Sequence, residues 1–323
     1  MSQSLLEYAA WLDERKLGKA PAPTVVTPKA APFLKPLGGI RGVMWNLYGT
    51  LLFITDGKLL LSVPQPARMQ VALEKTIQQF NLWVGDSQQP GKAWEELLRQ
   101  YTRLIDERRA AATPKAGETP EINVVEVWKT LIERLKQKDY SWDENQYGDL
   151  DDFSEKVAWF FQASLQGVTV VPQALATLQL IAGSGFVQGL ATNAQAISLD
   201  QLHHALKTQG PVPSLRDLFI PRCIVLSYRE GVQQPSNLIL ETCIEQFERE
   251  GVTPGEIACV GTRVHEELAP AKKLGLRAVL FAGDKASMQA TSADMKDPAA
   301  RPDRIITELS QLRQLLFPDP EGE

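Results

Sequence analysis

Cysteine and histidine are scarce in this 323-residue chain, with three of each. Cys223, Cys243 and Cys259 lack metal-type spacing, and two of them lie in apolar, strand-like runs. Buried, reduced thiols are therefore expected, as in a cytoplasmic protein, and a cysteine-held metal is not. Long apolar runs are absent too: no stretch approaches the ~20 residues that a membrane-spanning helix needs. The N-terminus brings Glu7 early and has no apolar core of the signal-peptide kind, so no signal peptide and no membrane association are expected. Basic stripes are also missing, and a net charge of −5 gives no reason to expect nucleic acid. What remains is ordinary globular composition, 44% hydrophobic and 23% charged, enough for one large domain or a domain with an insertion.

Residues 3–16 read as a short amphipathic helix built on Leu5, Leu6, Ala9, Trp11 and Leu12. Residues 18–38 hold Pro21, Pro23, Pro28, Pro32 and Pro36, the mark of an extended linker or surface strap. Residues 1–38 are thus set apart as N-terminal helix and Pro/Ala-rich linker, and a partner-docking role for them is one reading. Ile40–Leu47 suits a buried strand. From 64 to 166 the periodicity is helical, with helices expected over 66–82, 90–111, 121–138 and 150–165. Strands then return at 186–192, 220–227, 257–261 and 276–281, alternating with helices near 172–183, 198–208, 236–250 and 264–274. That alternation predicts an α/β fold, a doubly wound parallel sheet made of 39–63 and 167–323, with a helical cap over 64–166 inserted after the first strand.

Four strand-to-loop stretches carry the chemistry, placed where an open parallel sheet binds ligands. The first is Asn46-Leu47-Tyr48-Gly49-Thr50-Leu51 and the second is Gly189-Leu190-Ala191-Thr192-Asn193. The third runs from Leu226-Ser227 through Gly231 to Gln234-Pro235. The fourth runs from Val260-Gly261-Thr262-Arg263 to Glu267, Ala271 and Gly275. Together they resemble the haloacid dehalogenase (HAD)-like hydrolase superfamily, and the resemblance spans most of the chain.

The resemblance implies a Rossmann-like core with a cap, and it implies roles by position. Asn46 stands where relatives place a nucleophilic Asp, and Tyr48 where many place a general acid–base. Thr192 and Asn193 follow the strand whose hydroxyl residue holds a substrate oxygen. Gln234 stands in place of a lysine, Thr262 in place of a magnesium-binding Asp, and Glu267 at the second acidic position. A carboxamide is neutral and its nitrogen lone pair is delocalised, so Asn46 cannot act as the nucleophile. Without the carboxylates at 46 and 262, a hard cation such as Mg²⁺ has little to hold it. The expected protein is therefore a degenerate member, a pseudoenzyme with no confident catalytic residue, no metal and no cofactor. It would bind a small anion or a protein partner, with Asn46, Tyr48, Gly49, Thr192, Asn193, Gln234, Arg263 and Glu267 forming the site. The alternative is an active phosphatase or 2-haloacid dehalogenase with an atypical site, for which Mg²⁺ is the cofactor.

Other candidates have plainer readings. Arg229 and Arg263 can each lend positive charge to a phosphate or carboxylate site, but a solvated side chain is the default for both. His265 reads as a solvated loop residue. Adjacent His203 and His204 face different directions on a helix and do not form a joint metal site. Ser227 has no His–Asp arrangement near it. Trp83, Trp94, Trp128, Trp142 and Trp159 are expected in the core of the helical region.

Overall fold

The computed structural model describes residues 2–82 and 93–317. In chain order the elements are α1 (Leu5–Glu14), β1 (Gly42–Trp45), β2 (Leu52–Ile54), α2 (Pro66–Phe80), α3 (Ala93–Ala111), α4 (Val124–Lys136), α5 (Glu144–Tyr147) and α6 (Leu150–Leu165). There follow β3 (Val168–Val170), α7 (Ala174–Gly183), β4 (Val187–Thr192), α8 (Ser198–Leu206), β5 (Ile224–Leu226) and α9 (Ser227–Glu230). The chain ends with α10 (Asn237–Arg249), β6 (Ile257–Gly261), α11 (Ala269–Lys273), β7 (Arg277–Phe281), β8 (Arg304–Ile306) and α12 (Leu312–Leu316).

Six strands form one sheet in the order β5-β4-β1-β6-β7-β8, with every pairing parallel. A parallel sheet needs crossover connections, and helices cover both of its faces here, as the strand–helix alternation predicts. β1 sits between β4 and β6, with Trp45 level with Leu190 on one side and Val260 on the other. The chain leaves β1 for β4 on one flank and later reaches β6 on the other. The loops leaving the three strands therefore meet at one switch point.

The two faces of the sheet are packed by different clusters. Val43, Trp45 and Leu47 join Leu190, Val260 and Phe281 on one, while Met44 joins Cys243, Phe247 and Cys259 on the other. All three cysteines are free and buried. One polar side chain is held inside the first cluster. Gln188, 1% exposed, accepts from Trp45 Nε1 at 3.0 Å and donates to the carbonyls of Leu178 and Leu218 at 2.9 Å each. It satisfies an indole N–H that would otherwise be stranded beneath β1.

Two short strands escape the sequence pattern. β2 and β3 pair antiparallel, Phe53 opposite Thr169, and the helical insertion lies between them. The insertion thus starts after this second strand and not directly after β1. Three-residue strands are too brief to show alternation, and the same reason hides β8. The expected strand 220–227 shrinks to Ile224–Leu226 because Pro221–Cys223 turn as a 3-10 helix. The expected helix 264–274 opens with a wide π-type turn over Val264–Leu268.

α2, α3, α4 and α6 pack around Trp128, Tyr101 and Phe161, whose ring centroids lie 5.1–5.6 Å apart. Asn123 caps α4 and Asp149 caps α6, each accepting backbone N–H groups of the first turn. Trp128 and Trp159 are buried, and Trp94 and Trp142 are half-buried against the same cluster. Trp83 and the expected start of the 90–111 helix lie outside the described residues. The N-terminal helix and the segment read as a linker or surface strap both lie against their own chain: α1 contributes Tyr8, Ala9 and Leu12 to the helical cluster, and Phe33 pairs with Ile305 of β8.

The Gln188 bonds give a direct test. Gln188→Leu keeps the volume but strands one indole N–H and two carbonyls. The unfolding free energy is expected to fall by about 3 kcal/mol, read from urea midpoints at constant m-value.

Candidate functional site

The tip of β1 is held from both sides. Asn46 N donates to Val260 O at 3.0 Å, and Leu47 N donates to the Thr192 hydroxyl at 3.2 Å. The same hydroxyl donates to Asn46 Oδ1 at 3.1 Å. Asn46 is 4% exposed and lines the cleft, and among the described residues none accepts from its Nδ2. The Asn46 side chain therefore presents an N–H donor to any ligand, where a carboxylate would present an anion.

Tyr48 is buried, and its hydroxyl donates to Gln201 Oε1 at 2.5 Å and lies 2.9 Å from the Ser198 hydroxyl. Burial pushes that phenol far above its ordinary value. It stays protonated and bound to α8. Gly49 has φ +90°, and a Cβ there would lie 2.8 Å from Ser287 Cβ and 3.0 Å from Thr262 Oγ1. Only glycine fits that turn. Thr262 Oγ1 is itself buried without a hydrogen-bond partner.

The loop after β6 holds the largest departure from the sequence reading. Arg263 is 5% exposed instead of solvated. Its Nη1 donates to Glu267 Oε1 at 2.8 Å, and its Nη2 donates to Gly57 O beside the start of the helical insertion. Glu267 Oε2 accepts from the backbone N–H groups of Thr262 and Arg263 at 2.7 and 3.1 Å. Burial raises the Glu267 carboxyl, while the guanidinium and the two N–H groups oppose the rise. The default failed because spacing alone cannot show that the π-type turn swings residues 263 and 267 onto one another.

Gln234 N donates to Asn193 Oδ1 at 2.7 Å, and Gln234 Nε2 donates to Ala191 O at 3.3 Å. Asn46, Tyr48, Asn193, Gln234 and Arg263 all line one cleft of about 280 Å³, and Thr192 and Glu267 hold it from behind. Small-molecule sites run from ~300 Å³ upward, so this volume suits a small ligand. Among the described residues, no group of three His, Cys, Asp or Glu side chains is arranged to hold a metal ion.

Several lining residues had no signal in the sequence. Lys58 and Arg109 are exposed at the rim, and Glu121, Gln195 and Gln233 reach in from loops. Glu121 precedes α4 and is half-buried. It accepts from Ser227 Oγ at 2.6 Å, Gln195 Nε2 at 3.0 Å and Gln233 Nε2 at 3.1 Å. Burial pushes its carboxyl up despite these donors. Backbone bonds Glu121 N to Gly231 O and Gln233 N to Thr119 O, both 2.9 Å, dock this segment on the loop after β5. Nothing in the local sequence pairs residue 121 with 227, since the contact exists only once the helices fold back.

The remaining candidates lie apart. Arg229 is exposed over Tyr228, and His265 is exposed and bonded to Asp294. His203 bonds Val212 O while His204 bonds Asp13, so the pair is split.

No family model matches the chain. It is 30% identical to the glyceraldehyde 3-phosphate phosphatase of Pyrococcus furiosus over 146 residues, 45% of this chain and 54% of that protein. The match thus spans about half the length of that relative. The 2-haloacid dehalogenase of Pseudomonas syringae pv. Tomato superposes over 85% of this chain and 97% of its own, with TM-score 0.51 and 20% identity. A HAD phosphatase from Thermococcus onnurineus matches 85% of this chain and 97% of its own, with TM-score 0.46 and 18% identity. With the six-stranded parallel order, the helical insertion and the four loops gathered at the ends of β1, β4, β5 and β6, the chain has the haloacid dehalogenase-like hydrolase fold.

Proposed function

We propose that this chain binds a small polar ligand in the cleft and does not run aspartyl-nucleophile chemistry there. The observation that carries this reading is the Asn46 carboxamide, which lines the cleft with its Oδ1 held by the Thr192 hydroxyl, leaving its N–H group without a partner among the described residues. That group can donate a hydrogen bond to a ligand oxygen, but it has no lone pair free to form an ester or acyl bond. Gln234, in the position where relatives place a lysine, supplies no cation to offset charge developing on a transferring group.

Magnesium does not fit the residues present. Both oxygens of Glu267 are already bonded, Thr262 offers a neutral hydroxyl, and Asn46 Oδ1 is taken by Thr192. The cation beside the loop is instead the Arg263 guanidinium, whose charge is balanced by Glu267. The ligand-facing groups are then mainly carboxamides, with Lys58 and Arg109 offset by Glu121 and Glu266 in the same lining, which suits a polar ligand.

The phosphatase relative favours a second reading, hydrolysis of a phosphate ester by an atypical site. Assays with p-nitrophenyl phosphate plus Mg²⁺, and with 2-haloacids, separate the two. Wild-type protein is expected at the buffer blank, and the variant Asn46→Asp with Gln234→Lys and Thr262→Asp above it. Wild-type turnover that disappears in Asn46→Ala would overturn the binding reading.

Glu121 sets a pH dependence on stability. Its carboxyl is raised by burial, so the folded protein holds that proton more tightly than the unfolded chain does. The associated stability is complete below the ordinary glutamate range and is lost as pH rises through the raised folded value. Denaturant midpoints between roughly pH 4 and pH 8 are expected to show this decline in wild type, and Glu121→Gln is expected to show a smaller one, the part due to Glu267 remaining.

A further inference from the structure

The N-terminal segment touches both parts of the molecule that the cleft separates. On the insertion side, α1 buries Tyr8, Ala9 and Leu12, Ala20 N donates to Ala163 O at 2.7 Å, and Ser164 Oγ donates to Gly18 O at 2.8 Å. On the sheet side, Val26 N donates to Asp284 Oδ1 at 3.2 Å and its carbonyl accepts from Lys285 N at 2.7 Å. Farther along, Phe33 N donates to Ile305 O at 2.8 Å and Leu37 N to Leu315 O at 2.9 Å. Arg304 Nη2 donates to Pro36 O at 2.7 Å.

Between these anchors the segment passes over the place where the insertion joins the sheet. The insertion leaves after β2 and returns into β3, and these strands are adjacent and antiparallel, with Thr55 N donating to Gly167 O at 3.0 Å. Two neighbouring strands make a single hinge line, about which the insertion can turn once its Glu121 contacts across the mouth of the cleft are released. A third tie that spans the line removes that freedom. Pro21 supplies it: a Cβ on Gly167 would stand 1.9 Å from the Pro21 carbonyl oxygen, so the chain crosses the hinge in direct contact with its backbone. The sheet-side anchor is not remote from the cleft either, because Asp284 also binds Ser287, which packs against Gly49.

We propose that residues 17–37 are a strap that clamps this hinge and holds the cleft at its observed width. The Glu121 contacts bridge the mouth of the cleft and do not cross the hinge, so the two ties are separable. Proline serves the strap well, since its fixed φ keeps the chain extended between anchors and lowers the entropy lost in seating it.

The test reads the hinge itself. A protease recognition sequence is placed between Thr24 and Val25, both exposed, and folded full-length protein is compared before and after cleavage. Hydrogen exchange of the Thr55 and Val171 amides, bonded to Gly167 O and Leu51 O, is expected to rise about tenfold on cleavage, with α10 unchanged. Identical rates before and after, or acceleration spread equally into α10, would overturn the strap. If the inserted site prevents folding, Gly167→Ala takes its place: its Cβ must lift Pro21, and the same local acceleration, or its absence, decides.

Discussion

The loops leaving β1, β4 and β6 are set side by side by β1, a strand hydrogen-bonded along both edges and buried on both faces. Parallel pairing brings the carboxyl ends of β4, β1 and β6 level, so their outgoing loops emerge side by side. Asn46, Thr192 and Thr262 therefore come together although they lie far apart in the chain. Trp45 needs Gln188 beneath it, and Asn46 needs Thr192 and Val260 beside it; the ladder sets those distances.

Charge inside the cleft is settled by the protein's own groups. Taking a guanidinium and a carboxylate out of water costs several kcal/mol each, and only close pairing with further hydrogen bonds offsets it. Arg263 and Glu267 meet that condition through a side-chain bond, two backbone N–H donors and the Gly57 carbonyl. One consequence is mechanical, since the guanidinium joins the loop after β6 to the start of the insertion. The other is chemical: both oxygens of Glu267 are engaged by donors of the same loop.

The architecture was largely legible in the sequence. Runs such as Ile257–Gly261 and the 3.6-residue pattern over 150–165 identify their elements because burial on a sheet or a helix imposes its own period. The four loops could be found for a related reason: a chain leaving a buried strand must turn sharply, which keeps Gly49 and similar residues recognisable. Arg263 and Glu121 were misread or unseen because burial of a charged residue depends on partners supplied from elsewhere. β2, β3 and β8 were missed because three residues carry no period.

The sequence by itself determined the alternating α/β plan, the helical insertion and the identity of the groups at the strand ends, including a carboxamide at position 46. These follow from local patterning and from covalent chemistry, which folding does not alter. The tertiary structure alone decided that Arg263 is neutralised by Glu267, that Glu121 reaches Ser227, and that the proline-rich segment lies across the crossing at Gly167. Such contacts join residues with no local relation, and their existence depends on which surfaces exclude water when the helices and sheet close on one another.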